Sequence, residues 1–154
     1  MLQESFREVL GHFISGITVV TSIDKDGPCG FTCQSFMSLS LIPPLVTFAP
    51  AKSSTTWPRI KNQNRGAINV LAQSQQDIAA TFAVSGGDKF KSINWHANEF
   101  GVPILEGVLA WVEFEIHAIH EGGDHDLVVA RVIDLERRPG KPLMYFKGEY
   151  QKLS

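Results

Sequence analysis

The chain has 154 residues, 44% of them hydrophobic and 19% charged, with a formal net charge of −2. That suits one soluble globular domain spanning residues 1–154 and excludes a protein that holds polyanions by overall charge, so no nucleic acid is expected as a partner. No apolar run reaches membrane-span length and no secretory pattern opens the chain; Cys29 and Cys33 would lie roughly 13 Å apart along a strand, too far for a disulfide, so free thiols, no membrane partner and a cytoplasmic location are expected.

Phe6, Val9, Leu10, Phe13 and Ile14 recur at helical spacing and predict an amphipathic helix over 5–15, with Ser5 and Glu8 as a capping box and Gly16 as its end. Residues 17–23 alternate as a strand, and Asp24-Lys-Asp-Gly27 reads as a hairpin turn. The return strand enters Gly30-Phe-Thr-Cys-Gln-Ser-Phe-Met-Ser-Leu-Ser-Leu-Ile-Pro-Pro-Leu45, whose Thr32, Gln34, Ser35, Ser38 and Ser40 carry donors and acceptors where a core strand would carry Val or Ile. Such a run suits the polar edge of a flat heteroatom-rich ring; a hydroxyl-rich edge strand is the plainer reading. Pro43-Pro44 ends it, and 45–49 is a short apolar strand.

A short helix is expected around Trp57 and Ile60, with Pro58 in its first turn and its N-cap among Ser54 to Thr56. Free N–H groups, several hydroxyls and Lys52 would converge there as a phosphate site, although capping alone needs one hydroxyl. Residues 66–72 form a strand with Asn69 in its middle, an amide that needs a partner if buried. Ser74 is expected to cap a helix through Ala83, with Asp77 at the capping-box position. Residues 84–105 read as a long irregular segment.

Residues 109–121 alternate as a long strand, with Ala110, Val112, Phe114, Ile116 and Ala118 on one face and Trp111, Glu113, Glu115 and His117 on the other. Gly122 to Asp126 is a turn, 127–135 is apolar on both faces, Pro139-Gly140 turns the chain, and 143–150 closes the sheet. Six or seven strands with two or three short helices argue a mainly β protein, a closed barrel with helical decorations.

Reactive constellations are weak. His117 and His120 face opposite ways in a strand, and no metal site is expected. No nucleophile elbow, dinucleotide-binding glycine pattern or phosphate-binding glycine loop occurs. What remains is ligand holding: the polar strand, the hydroxylated helix start, and Gly123-Asp124-His125, whose histidine lies between two carboxylates that would favour its charged form.

Six collinear stretches together resemble the short-chain flavin reductases, the reductase components of two-component flavin-dependent monooxygenases. They are Phe6 with Gly11-His-Phe-x-x-Gly-Ile-Thr-Val-Val-Thr21, the 30–45 run, Ser54-Thr-Thr-Trp57, Asn69-Val-Leu71, Gly123-Asp-His125, and Pro142-Leu-Met-Tyr-Phe-x-Gly-x-Tyr150. The resemblance implies an FMN-binding split β-barrel of Greek-key type, usually a homodimer, that uses NADH or NADPH to reduce FMN or FAD by hydride transfer and releases the reduced flavin to a monooxygenase. It places flavin-ring contacts on Thr32, Cys33, Gln34 and Ser35. Phosphate contacts fall on Ser53, Ser54 and Thr56 with help from Lys89 and Phe90, and Asn69 sits beside the flavin. His125, with Gly123 and Asp124, meets the nicotinamide nucleotide. Gln34 stands where Asn is commoner, and Ala130 where Gly is commoner, which bears on flavin preference. No catalytic acid or base is implied, because the hydride passes between cofactors. Two rival readings are a flavoprotein that keeps FMN permanently, as carrier or sensor, and a flavin-free interaction barrel.

Overall fold

The computed structural model describes residues 1–154. In chain order the elements are α1 (Leu2–Leu10), β1 (Ser15–Gly16), β2 (Thr18–Asp24), β3 (Gly27–Cys33), β4 (Met37–Ser40), β5 (Leu45–Phe48), α2 (Trp57–Gln63), β6 (Arg65–Val70), a 3-10 turn (Gln73–Gln75), α3 (Gln76–Ala83), β7 (Trp95–Ala97), β8 (Pro103–Leu105), β9 (Ala110–Gly122), β10 (His125–Arg137), β11 (Leu143–Phe146) and β12 (Glu149–Lys152). The protein is mainly β, as expected. No helix is long and apolar enough to cross a membrane.

Seven strands form one antiparallel sheet in the order β3-β2-β6-β9-β10-β5-β4. Its interior cluster draws on both ends of that order: Cys29 and Cys33 of β3 pack with Val46 and Phe48 of β5, around Ile68, Phe114 and Val128. The sheet is therefore strongly curled. No ladder joins β3 to β4 or β5, so it does not close, and the expectation of a closed barrel without edges is corrected. A second cluster, with Val19, Ala67, Phe82, Ile104 and Trp111, covers the other face of the central strands. Val19 and Val20 thus serve opposite cores, and β2 is buried over its first five residues.

Other expectations need correction too. The first helix starts and ends earlier than 5–15, and neither Ser5 nor Gly16 caps it. None of its residues is buried; Phe13, just past its end, is 82% exposed. Gly16 pairs with Met144 in β1. The 84–105 segment contains the β7–β8 hairpin. The C-terminal run is two strands joined at Lys147-Gly148, in a separate sheet of order β1-β11-β12. α3 is preceded by the 3-10 turn, and the Gln75 side chain, not Ser74, accepts the Ala72 N–H at 2.9 Å. A register shift leaves His117 out of the ladder, so Ile116 and Ile119 both turn toward the interior. Glu113 is 1% exposed and lies 3.4 Å from Arg65 Nε. Leu135, expected under cover, is 62% exposed.

Asn69 satisfies its amide inside the fold. Its Nδ2 donates to Val19 O and Thr21 Oγ1, both at 3.0 Å, and its Oδ1 accepts from Leu105 N at 3.0 Å. It ties β2 and β6 to β8. Asn69→Ala strips Leu105 N–H and Val19 C=O of a partner and opens a small void. We expect it to lower stability by roughly 2–4 kcal/mol in chemical denaturation. A loss under roughly 1 kcal/mol would show that water replaces the amide.

Candidate functional site

The opening between β3 and β5 is a groove of ≈ 430 Å3. One wall is the end of β3 and the residues after it, Phe31 to Ser35. The floor is the segment from Ala49 to Thr56, the opposite wall is the end of α3 from Phe82 to Ser85, and Lys89 and His125 stand at the margins. The groove therefore gathers Thr32, Cys33, Gln34, Ser35, Ser53, Ser54, Thr56, Lys89 and His125 from four separate stretches of sequence.

Gly30 permits the near wall to meet the far one. A Cβ there would lie 2.9 Å from Val20 O and 3.1 Å from the Phe82 ring, so glycine lets α3 rest directly on β3. Thr32 Oγ1 reinforces that contact by donating to Ala79 O at 2.7 Å. Ser35 Oγ donates to Ala49 O at 3.1 Å and accepts Ala49 N–H at 2.9 Å, bridging the opening. These two hydroxyls are structural ties and not the free ring-binding donors expected. The backbone offers further polar groups: Gln34, Ser35 and Phe36 follow the end of β3 and make no hydrogen bond to another backbone group, although Ser35 N–H is engaged by the Cys33 thiol. Gln34 Oε1 has only a long contact, 3.4 Å, from Ser15 Oγ. Burial pushes the Cys33 thiol up, so it lines the groove as a neutral group.

The floor turns tightly before α2. Ser54 Oγ accepts the N–H groups of Thr56 (3.2 Å) and Trp57 (3.1 Å), capping the helix and keeping a hydroxyl proton to donate. The N–H groups of Ser53 and Thr55 have no backbone acceptor. Lys52 is not part of this cluster, since it pairs with Glu121 on the β9–β10 hairpin. The cation that reaches the groove is Lys89. It is half-buried, has no carboxylate partner, and burial pulls its ammonium below the usual lysine range. Its nearest charge-stabilising contact is the Phe82 ring, 5.9 Å away.

His125 reaches the rim because Gly123, at φ +75, lets β9 and β10 turn in two residues. Its Nδ1 lies 2.8 Å from Asp124 Oδ1, and the imidazole holds the Asp124 carboxyl below the usual range. Only one carboxylate attends it, because Asp126 Oδ2 accepts Trp57 Nε1–H at 2.9 Å. Gly123 and Asp124 are beside the groove but do not line it. Asn69 lies in the core, outside the groove, because β8 has engaged its amide. Phe90 is packed edge-on against Phe82 and Trp95 and borders a neighbouring groove instead. No group of three or more His, Cys, Asp or Glu side chains is placed to hold a metal.

Sequence reasoning missed Phe31, Ala49–Ala51 and the α3 end from Phe82 to Ser85. These act through shape and backbone, and only the Gly86-Gly87 break after the helix hinted at them.

A second groove of ≈ 600 Å3 adjoins the first through Thr55, Thr56 and Lys89. Arg59 lines it, fixed by Asp24: Nε donates to Oδ2 at 2.7 Å and Nη2 to Oδ1 at 2.6 Å. The guanidinium lowers the Asp24 carboxyl from an ordinary 3.8 to about 2. A carboxyl depressed in the folded state stabilises the fold above its ordinary pKa, and that stabilisation is lost as pH falls through the folded value. Between about pH 4 and about pH 2, wild-type protein should therefore lose stability more steeply than Asp24→Asn in acid titrations followed by thermal melting. Parallel curves would mean the pair is not linked to folding.

The family described as Flavin reductase like domain matches residues 10–154. The flavin-dependent monooxygenase reductase subunit HsaB of Mycobacterium tuberculosis is 44% identical over 149 residues, which cover 95% of this chain and 80% of that protein. SmoA of Agrobacterium fabrum, an FMN reductase (NADH), is 41% identical over 150 residues, 97% of this chain and 86% of that one. The structure of the Streptomyces globisporus C-1027 NADH:FAD oxidoreductase SgcE6 in complex with NAD and FAD fragments superposes with a TM-score of 0.94 at 33% identity, covering 99% of this chain and 93% of the other.

Proposed function

This chain belongs to the flavin reductase like domain family, and from that premise we propose that it is an NAD(P)H-dependent flavin reductase that supplies reduced FMN or FAD to a partner monooxygenase. One observation carries the reading most directly. A single groove runs from the backbone of Gln34 and Ser35, which pairs with no other strand, to an unpaired, half-buried Lys89, with His125 on its rim. A cation partly withdrawn from water with no carboxylate beside it is favoured by an arriving anion, and backbone groups without strand partners at the other end of the groove suit the polar edge of a ring.

Bound there, flavin would supply the redox chemistry as acceptor of a hydride from the reduced nicotinamide. The chain's own part is binding and orientation. Backbone groups of Gln34 and Ser35 hold the ring edge, and Cys33 and Thr32 form the wall behind it. Ser53, Ser54 and Thr56, with their free N–H neighbours and Lys89, hold the phosphate. Phe31 and Phe82 keep water from the ring face. His125, steadied by Asp124, orients the nicotinamide nucleotide at the rim. The groove is open along its length, which favours exchange of flavin over permanent retention as a carrier or sensor.

In this reading the unclosed sheet is a split β-barrel of Greek-key type, and residues 1–154 act as one domain. A homodimer is the proposed state: the apolar stripe of α1 and the side chains of Met37, Leu41, Ile42 and Leu135 are exposed in the single chain, Ile42 to 90%. Two free cysteines suit a cytoplasmic setting. Lys52, the lysine nearest the rim, already pairs with Glu121, and His125 is engaged by Asp124, leaving no free cation there for a 2′-phosphate; NADH is the proposed donor.

Steady-state oxidation of NADH and NADPH with added FMN and FAD tests the activity. Turnover with NADH exceeding that with NADPH is expected, and no oxidation of either with either flavin would exclude a free-flavin reductase. His125→Ala should raise the KM for NADH at least about tenfold while leaving flavin affinity within about twofold. Equal effects on both would remove its assignment to the nucleotide. Sedimentation should give twice the chain mass, and Phe13→Glu with Leu135→Glu should shift it toward one.

A further inference from the structure

Bringing a nicotinamide against a flavin requires that the phosphate end of the groove and His125 keep a fixed relation. They belong to separate elements: the floor before α2 carries Ser53, Ser54 and Thr56, and the β9–β10 hairpin carries His125. Main-chain bonds lay the floor along the start of β10. Lys52 N–H donates to Asp124 O at 2.9 Å, Asp126 N–H donates to Pro50 O at 3.0 Å, and Ala51 bridges His125. These bonds keep the strand beside the floor but do little to stop it rolling about its own axis, and a roll would swing His125 out of the groove. The Lys52–Glu121 ion pair lies in solvent, with the Glu121 side chain 84% exposed, and adds little hold.

We propose that Trp57 and Asp126 are positioning residues that lock His125 to the phosphate end of the groove through one hydrogen bond. The inference rests on the assignment of His125 to the nicotinamide nucleotide. His125 and Asp126 are neighbours at the start of β10, so their side chains leave opposite faces of the strand. His125 lines the groove, while Asp126 reaches the other way, where its Oδ2 accepts Trp57 Nε1–H at 2.9 Å. A bond on the back of the strand resists the roll that would carry off the side chain on its front. Trp57 is itself held fast. It is buried and stands edge-on to Phe48, with ring centroids 5.9 Å apart. Its backbone N–H donates to Ser54 Oγ at 3.1 Å. One residue thus fixes the Ser54 hydroxyl through its main chain and the strand of His125 through its indole. Neither Trp57 nor Asp126 lines the groove, so both act through the residues they hold. Asp126 forms no ion pair, so what it contributes is an acceptor oxygen and not a salt bridge.

The test measures KM for NADH and flavin affinity, the latter by fluorescence quenching, in Trp57→Phe, Asp126→Ala and Asp126→Asn, each with His125 present and with His125→Ala. Trp57→Phe keeps a ring against Phe48 and removes only the N–H donor, and Asp126→Asn keeps an acceptor oxygen. Trp57→Phe and Asp126→Ala should each raise the KM for NADH about threefold to tenfold, with flavin affinity within about twofold of wild type. Asp126→Asn should stay within about twofold of wild type in both. In the His125→Ala background the same changes should add less than about twofold, because the side chain they position is gone. If Asp126→Ala raises the KM as much without His125 as with it, or Asp126→Asn behaves like Asp126→Ala, or either loss weakens flavin as much as NADH, the bond does not position the histidine and the assignment falls. If His125→Ala alone leaves the KM for NADH unchanged, the nucleotide reading of His125 fails and this inference with it, while the flavin affinities still report on the groove itself.

Discussion

The fold's organising constraint is a sheet that curls far enough to build an interior but does not pair its last strands. An unpaired edge is ordinarily a hazard, because its open N–H and C=O groups invite other strands. Here β3 stops at Cys33, and the chain crosses the gap in three residues held by one side chain, Ser35, clamped to both backbone groups of Ala49. The clamp fixes the width of the opening. α3, seated against Gly30 and tied by Thr32, fixes its depth. The groove is thus a property of how the sheet ends, and the unpaired backbone that makes an edge hazardous becomes the available hydrogen-bonding surface.

Charge is disposed with the same logic. Arg59 is neutralised by Asp24, Lys52 by Glu121, and Arg65 faces the buried Glu113. Each pair ties one element to another: α2 to the first hairpin, the groove floor to the β9–β10 hairpin, β6 to β9. Lys89 joins nothing to anything. A cation partly withdrawn from water with no structural task is the side chain most readily explained by a bound anion, and it is set where the two grooves meet.

Much of this was legible in the sequence because it is local. The Asp24–Gly27 turn, the long β9–β10 pair with its Gly123 turn, the Pro58 helix start and the candidate groove residues each leave their mark within a few neighbouring positions. The rest depends on contacts distant in sequence. The β7–β8 hairpin is three residues on each strand, too short for alternation to register. Whether a seven-stranded sheet closes is decided by curvature summed over all its strands. Burial of Glu113 and exposure of Leu135 sit on strands with convincing patterns, because cover comes from Arg65 and Phe100 on one side and from nothing in this chain on the other.

Asn69, Thr32 and Ser35 show most clearly why polar residues in an apolar strand are ambiguous. All three read as ligand donors, and all three have hydrogen bonds that hold one part of the chain to another. A buried hydroxyl or amide must be satisfied, and a residue satisfied by the protein is less available to a ligand. The same requirement points the other way for the backbone. Where strand pairing stops and no side chain steps in, as at Gln34, the main chain itself is left open to a ligand. A sequence displays side chains and hides this, so the backbone surface proposed to hold the ring edge is one whose residue types matter least. It also accounts for how a longer Gln can stand at position 34: its amide adds to an edge already provided by N–H and C=O groups that every residue carries.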